Sequence, residues 1–149
     1  MSGIEEFSDC VISAARGWIG TPYRHQASLR GIGCDCLGLV RGVWRELYGA
    51  EPEAVPAYSG SWAETPVAPE DPLAVAARRH LLEIDKECFA AGDVLLFRWR
   101  RHLPAKHLGI AVSKTRMIHA QEGAAICEVA LNPWWLRHLA YAFRFPDNR

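Results

Sequence analysis

Residues 31–49, Gly31-Ile32-Gly33-Cys34-Asp35-Cys36-Leu37-Gly38-Leu39-Val40-Arg41-Gly42-Val43-Trp44-Arg45-Glu46-Leu47-Tyr48-Gly49, decide how the chain folds. Leu37, Val40, Val43, Trp44 and Leu47 recur at helical spacing on one face, and Gly49 supplies the stop. The spacing predicts a central helix that starts at or beside Cys36, fed by a turn containing Gly31 and Gly33. A thiol at that junction meets unsatisfied N–H groups and the positive end of the helix dipole, both of which favour thiolate. The help matters, because an unperturbed thiol of pKa about 8.5 is only about 3% ionised at pH 7. Against it stands the ordinary fate of a free cysteine, which is to pack as a small hydrophobe.

Outward from this helix, Val11, Ile12, Ala15 and Trp18 predict a first helix over Ser8 to Trp18, with Ser8 or Asp9 as its N-cap and Gly20 and Pro22 ending it. On the other side, residues 51–72 carry Pro52, Pro56, Pro66, Pro69 and Pro72 with Gly60, a composition that reads as a long surface excursion. Asp71-Pro72 then reads as an N-cap and first-turn proline opening a helix through Leu73, Ala76, Ala77, His80, Leu81 and Ile84. Beyond Gly92-Asp93 come short β-prone runs at Val94 to Trp99, His107 to Val112, Met117 to Ala120, Ala125 to Leu131 and Leu139 to Phe145. Helices followed by strands predict an α+β fold with a mostly antiparallel sheet of about five strands. The chain is expected to be one domain over 1–149, with an irregular and partly helical insertion around 50–91.

With 149 residues, 17 Lys plus Arg against 17 Asp plus Glu, and half the residues apolar, the composition is that of a globular domain and argues against wholesale nucleic-acid wrapping. No run reaches the roughly 18 apolar residues of a membrane span, and the acidic start Met1-Ser2-Gly3-Ile4-Glu5-Glu6 has no apolar signal region. The expectation is therefore synthesis in the cytoplasm without a signal peptide. Five cysteines at irregular positions (Cys10, Cys34, Cys36, Cys88, Cys127) fit reduced thiols better than a disulfide framework. Charge is laid out in blocks: residues 51–93 hold nine acids and three bases, while 94–121 hold six Lys or Arg and no acid. Arg98-Trp99-Arg100-Arg101-His102 is the densest part of that basic flank, for which a charged hairpin edge is the plainer account.

His107 opens one β-prone run and His119 closes the next. Side chains alternate along strands, so the two imidazoles share a face, directly opposed, if an odd-numbered loop or bulge centred near Ser113 joins the strands. One histidine then takes a proton from Cys36 while the other orients it, the arrangement of a cysteine hydrolase. A zinc site from Cys34, Cys36, His102 and His107 is disfavoured, because one residue between thiols is too few for the usual spacing.

Gly20-Thr21-Pro22-Tyr23, Gly33-Cys34-Asp35-Cys36-Leu37-Gly38-Leu39-Val40, Gly92-Asp93-Val94-Leu95-Leu96-Phe97, His107-Leu108-Gly109-Ile110 and Met117-Ile118-His119-Ala120 resemble, in order and spacing, the successive motifs of the NlpC family of papain-like cell-wall cysteine peptidases. The phage-type members look closest. The likeness covers most of the chain outside Gly49 to Gly92, and departs at Leu37, where many members have Ser. It implies a papain-like fold with Cys36 as nucleophile at the start of the central helix, His107 as base, His119 as orienting residue, and Tyr23 with Asp35 near the substrate and oxyanion. No metal or other cofactor is implied. The implied substrate is the peptidoglycan stem peptide, with cleavage between D-glutamate and diaminopimelate.

A cell-wall substrate without a secretory signal is reconciled if the protein is carried by a phage-like tail. That predicts a tail-tip component docked on hub or baseplate proteins and acting in the target cell's periplasm and wall. Arg98, Arg100, Arg101 and Lys106 are candidates for a basic rim facing a carboxylate-rich substrate, and Trp62, Trp134 and Trp135 are candidate docking anchors. Two alternatives stay open at this point: a structural tail adaptor with an idle site, and an acyltransferase or amidase on the same fold.

Overall fold

Helix α1 (Gly3–Arg16) begins earlier than its periodicity first suggested, because Phe7 continues the buried stripe of Val11 and Ala15 back by one turn. It ends before Trp18, whose ring packs on the central helix α2 (Cys36–Tyr48) at Gly42, where an added Cβ would lie 2.0 Å from the indole. Between them β1 (Ser28–Leu29) and β2 (Gly33–Cys34) form a small antiparallel hairpin. The computed structural model describes residues 3–53 and 71–147, so residues 54–70 of the excursion expected over 51–72, Trp62 included, lie outside the described residues.

Helix α3 (Pro72–His80) is shorter than expected. Leu82–Ile84 forms strand β3 instead, pairing Leu82 with Arg144 and Ile84 with Ala142. The apolar positions that continued the helical pattern are also compatible with a strand, and the open edge of the sheet decided between them. A 3-10 turn at Lys86–Cys88 leads to β4 (Val94–Phe97), β5 (His107–Ala111), β6 (Arg116–His119), β7 (Cys127–Ala130), α4 (Pro133–His138) and β8 (Leu139–Arg144). All five expected strands are present, and β3 makes the main sheet six-stranded in the order β3-β8-β4-β5-β6-β7, antiparallel throughout.

Strand β4 explains how the layers stack. Val94 and Leu96 face the core made with Val11, Ala15, Trp18, Leu39 and Val43 of the helical layer, while Leu95 and Phe97 face Phe89, Trp135 and Leu139 on the other side. A strand covered on both faces reads as a continuous apolar run, which is why Val94-Leu95-Leu96-Phe97 shows no polar alternation. The sheet thus carries α1 and α2 on one face and α4 on the other, and the functional residues collect where α2 meets β5.

Candidate active site

The start of α2 is fixed by Asp35. Its Oδ1 accepts the N–H of Gly38 at 2.7 Å as an N-cap, and its Oδ2 accepts the N–H of Gln26 at 2.8 Å, tying the preceding loop to the helix. Gln26 holds this loop at φ 64°, in the left-handed region. Ser28 Oγ donates to the Gly38 carbonyl at 2.6 Å, and the approach is so close that a Cβ on Gly38 would sit 2.0 Å from the Ala27 oxygen. Asp35 is 2% exposed, and both carboxylate oxygens serve backbone donors, so its expected place beside the substrate and oxyanion gives way to one beneath the helix start.

Cys36 is the first residue of the helix, half-buried, with its sulfur laid against β5. Its Sγ donates to the Lys106 carbonyl at 3.7 Å, and the Leu108 N–H also reaches the sulfur. These two groups face the same strand edge. That edge is open because pairing with β6 begins only at Gly109 opposite His119. The thiol therefore meets backbone immediately before and after His107.

Burial pushes the Cys36 thiol up to about 12, with the Asp35 carboxylate adding to the rise; N–H groups of Leu108, Leu37 and Cys36 pull the other way and are outweighed. The expectation that the helix start holds a resting thiolate is corrected on this physical ground. Cys34, fully buried, donates to the Asp35 carbonyl at 3.1 Å and is likewise pushed up to about 12, first by burial. Tyr23 bridges to Cys34 through the backbone, and its phenol, raised to about 12 by burial and then by the Cys36 and Asp35 charges, stays neutral at pH 7.

His107 and His119 share a face as expected, but they are not directly opposed. The β5–β6 turn is odd-numbered and centred on Lys114, which places His119 opposite Gly109 and makes His107 its diagonal neighbour. Rings can span that diagonal: His107 Nε2 lies 2.8 Å from His119 Nδ1. Two indoles that the sequence reading did not assign to the site complete it. Trp99 and Trp135 each lie at a 26° angle to the His107 ring with centroids 5.5 Å apart, and Trp135 meets His119 edge-on at 5.2 Å. The available signal was Asn132-Pro133, an N-cap and first-turn proline that open α4 and set Trp135 on its buried side. Burial, then the charges of His119 and Lys106, lowers His107 to about 3, and burial lowers His119 to about 4. Both rings are neutral at pH 7.

The expected basic rim divides. Arg98 turns away to Asp71 and to the Tyr141 hydroxyl, and the second Asp71 oxygen accepts the Ala105 N–H at 2.7 Å. Asp71 accordingly makes no side-chain cap for α3; it anchors the segment leading into His107. Arg100 and Arg101 remain exposed. Of the candidate anchors, Trp135 is buried under the imidazoles, while Trp134 is 43% exposed. Among the described residues, no three His, Cys, Asp or Glu side chains gather as a metal site.

Solved structures show the same fold. A lipoprotein-like NLP/P60 family protein from Staphylococcus aureus superposes with a TM-score of 0.66 at 22% identity, over 97% of this chain and 43% of that one. An NlpC/P60 family protein from Bacillus cereus gives a TM-score of 0.66 at 22% identity, over 93% and 40%. The chain thus spans less than half the length of these two neighbours. The peptidoglycan hydrolase RipB of Mycobacterium tuberculosis gives 0.61 at 13% identity, over 99% and 69%. No curated protein matches the sequence significantly. The model of the NlpC/P60 family does, over residues 20–144, and the chain belongs to that family.

Proposed function

We propose that this chain is a cysteine peptidase of bacterial cell walls that cleaves an amide bond in peptidoglycan stem peptides, with Cys36 as nucleophile, His107 as base and His119 as its orienting partner. The observation that carries the reading is the 2.8 Å contact between His107 Nε2 and His119 Nδ1, on the strand whose open edge receives the Cys36 sulfur. Family membership and the likeness to peptidoglycan hydrolases supply the substrate class.

In this reading the thiol proton passes to His107, and the His107–His119 contact sets where the other ring protons sit. For His107 to accept the thiol proton at Nδ1, its own proton must sit on Nε2 and be donated to His119 Nδ1. His119 is then a neutral acceptor with its proton on Nε2, a state that its low pKa preserves. As the carbonyl arrives, Cys36 attacks while its proton passes to His107, so the charge pair forms only with the new C–S bond. In the proposed step the N–H groups at the start of α2 and the Tyr23 hydroxyl stabilise the developing oxyanion. Imidazolium then protonates the leaving amine, and water, deprotonated by the same ring, releases the acyl group as carboxylate.

The finer reading places the cut between D-glutamate and diaminopimelate and the protein in a phage-like tail tip or baseplate; it rests on the likeness of the five motifs to phage-type members. Digestion of purified peptidoglycan by wild-type protein, Cys36→Ala and Cys34→Ala, with fragments identified by mass, tests the whole. Cleavage lost only in Cys36→Ala is expected. Equal cleavage by Cys36→Ala removes the nucleophile, and fragments cut elsewhere remove the bond assignment. Recovery of the protein in tail particles from a phage or prophage lysate tests the setting.

A further inference from the structure

Acyl transfer as proposed leaves a positive charge on His107 with no carboxylate beside it. Once the Cys36 sulfur has bonded to carbon its own charge is gone, yet the ring keeps its proton until the amine departs. In many triads a buried acid steadies that imidazolium. Here, among the described residues, no Asp or Glu pairs with His107 or His119. What surrounds the ring is unhelpful to charge: His119 meets Nε2 as a neutral partner, the Lys106 ammonium repels, and burial withholds water.

Two electron-rich rings do reach it. Trp99 and Trp135 both stack with His107 at 5.5 Å between centroids, inside the roughly 6 Å over which an aromatic ring attracts a cation, and indole attracts best. The indoles are themselves 6.0 Å apart, so the three rings form one cluster, with Phe97 further off at 6.1 Å. Trp135 has a second duty, packing on Phe97 at 4.9 Å in the core under α4. Trp99 is half-buried just beyond the end of β4, and its ring neighbours are His107, His138 and the indoles of Trp134 and Trp135. We propose that Trp99 and Trp135 do for His107 what a carboxylate does in other triads: their π faces attract the positive charge that the ring acquires during acyl transfer. This deepens the peptidase reading and rests on it for His107 as the base. Both are positioning residues that act through His107. An indole attracts more weakly than an acid, so the resting ring stays neutral and free to accept the thiol proton. Because the attraction begins only with the charge, it acts on kcat and leaves KM alone.

Ring fluorination tests the inference, since it drains the π face of an indole while nearly keeping its shape and its exclusion of water. Tryptophan carrying one to four fluorines is placed at position 99 alone by nonsense suppression, and cleavage of a synthetic stem peptide is followed. The expected result is a stepwise fall in kcat with each fluorine, by about tenfold across the series, equivalent to about 1.4 kcal/mol, at constant KM. The same series at Trp44, whose ring neighbours are Tyr48, His80 and Phe145, should leave kcat unchanged. A kcat indifferent to fluorine at position 99, or an equal loss at both positions, would overturn the assignment.

A readout without substrate separates this inference from the peptidase reading. The C2 hydrogen of a histidine exchanges with deuterium through the imidazolium, so its rate at neutral pH, followed at His107 by mass, reports how readily that ring takes up charge. Exchange is expected to slow along the position 99 series in parallel with kcat. If no peptide is cut but exchange still slows with fluorine, the indole attraction stands and hydrolysis falls. If the peptide is cut while neither rate responds, hydrolysis stands and this inference falls; if nothing is cut and exchange is indifferent, both fall. A response of kcat without one in exchange would put the effect of the indole somewhere other than the His107 charge, and would overturn the proposal as well.

Discussion

Burial moves the Cys36 thiol and the His107 imidazole in opposite directions, up to about 12 and down to about 3. Each shift favours the neutral form, so the resting pair is thiol and imidazole. Alkylation by iodoacetamide should therefore be slow. At pH 7, Cys36 is expected to react at least about tenfold more slowly than a free cysteine that is about 3% ionised, with the rate still climbing at pH 9. Comparison with Cys36→Ala removes the contribution of the exposed Cys10 and Cys88. A rate plateau below pH 7 would mean a preformed thiolate. That Cys36 opens the central helix and that His107 and His119 share a face was legible from sequence, because helical period and strand alternation are local patterns. Their protonation was not legible, since it depends on Trp99 and Trp135, which arrive from elsewhere in the chain.

At the scale of elements, the junction of the 26–28 loop with α2 is the tightest point in the site. Gly38 is the hinge of that contact: Asp35 caps its N–H, Ser28 bonds its carbonyl, and the Ala27 oxygen occupies the space of a Cβ. Gly38→Ala pits a methyl group against backbone, which cannot rotate away. The expected cost is about 3 kcal/mol in urea unfolding, at the upper end for overpacking, and it exceeds the small gain in helix propensity. A variant as stable as wild type would show that the loop can retreat freely. The start and stop of α2 could be read from the apolar period that opens beside Cys36 and from Gly49, whereas the Asp35 cap is a finding of the structure. The end of α3 could not, since the conversion of Leu82–Ile84 to a strand was decided by the edge of β8, contributed some sixty residues later. Asp71 misled for a related reason: its sequence neighbours suggest a cap, yet Arg98 and the Ala105 N–H claim the carboxylate.

For the molecule as a whole, two neutral imidazoles inside the fold tie stability to acidity. Unfolded, each takes a proton near pH 6.5; folded, His119 waits until about 4 and His107 until about 3. The unfolded state thus binds more protons throughout that interval. Stability is full above pH 6.5 and declines as pH falls toward 4, by up to about 1.4 kcal/mol per pH unit for each ring. Between pH 7.5 and 5, denaturant unfolding should lose up to about 2 kcal/mol per imidazole, and His107→Gln/His119→Gln should flatten the slope. An unchanged midpoint in wild type would mean that both rings are solvated. The α+β class and the five later strands were legible because chain order alone separates helices from strands. The two-sided covering of the sheet was partly visible in the unbroken apolar run of β4, whereas α4 and its indoles were hidden in a segment too short to show a period.

Cys36 rests against the carbonyl of residue 106 and the amide of residue 108, and the peptide unit is the same whatever side chain it bears. Mutation at those two positions can recolour the approach to the Cys36 sulfur, in charge or in bulk, while leaving its seat in place. Relatives could in this way diversify their diet through inherited changes beside the sulfur without first having to rebuild the machinery that uses it.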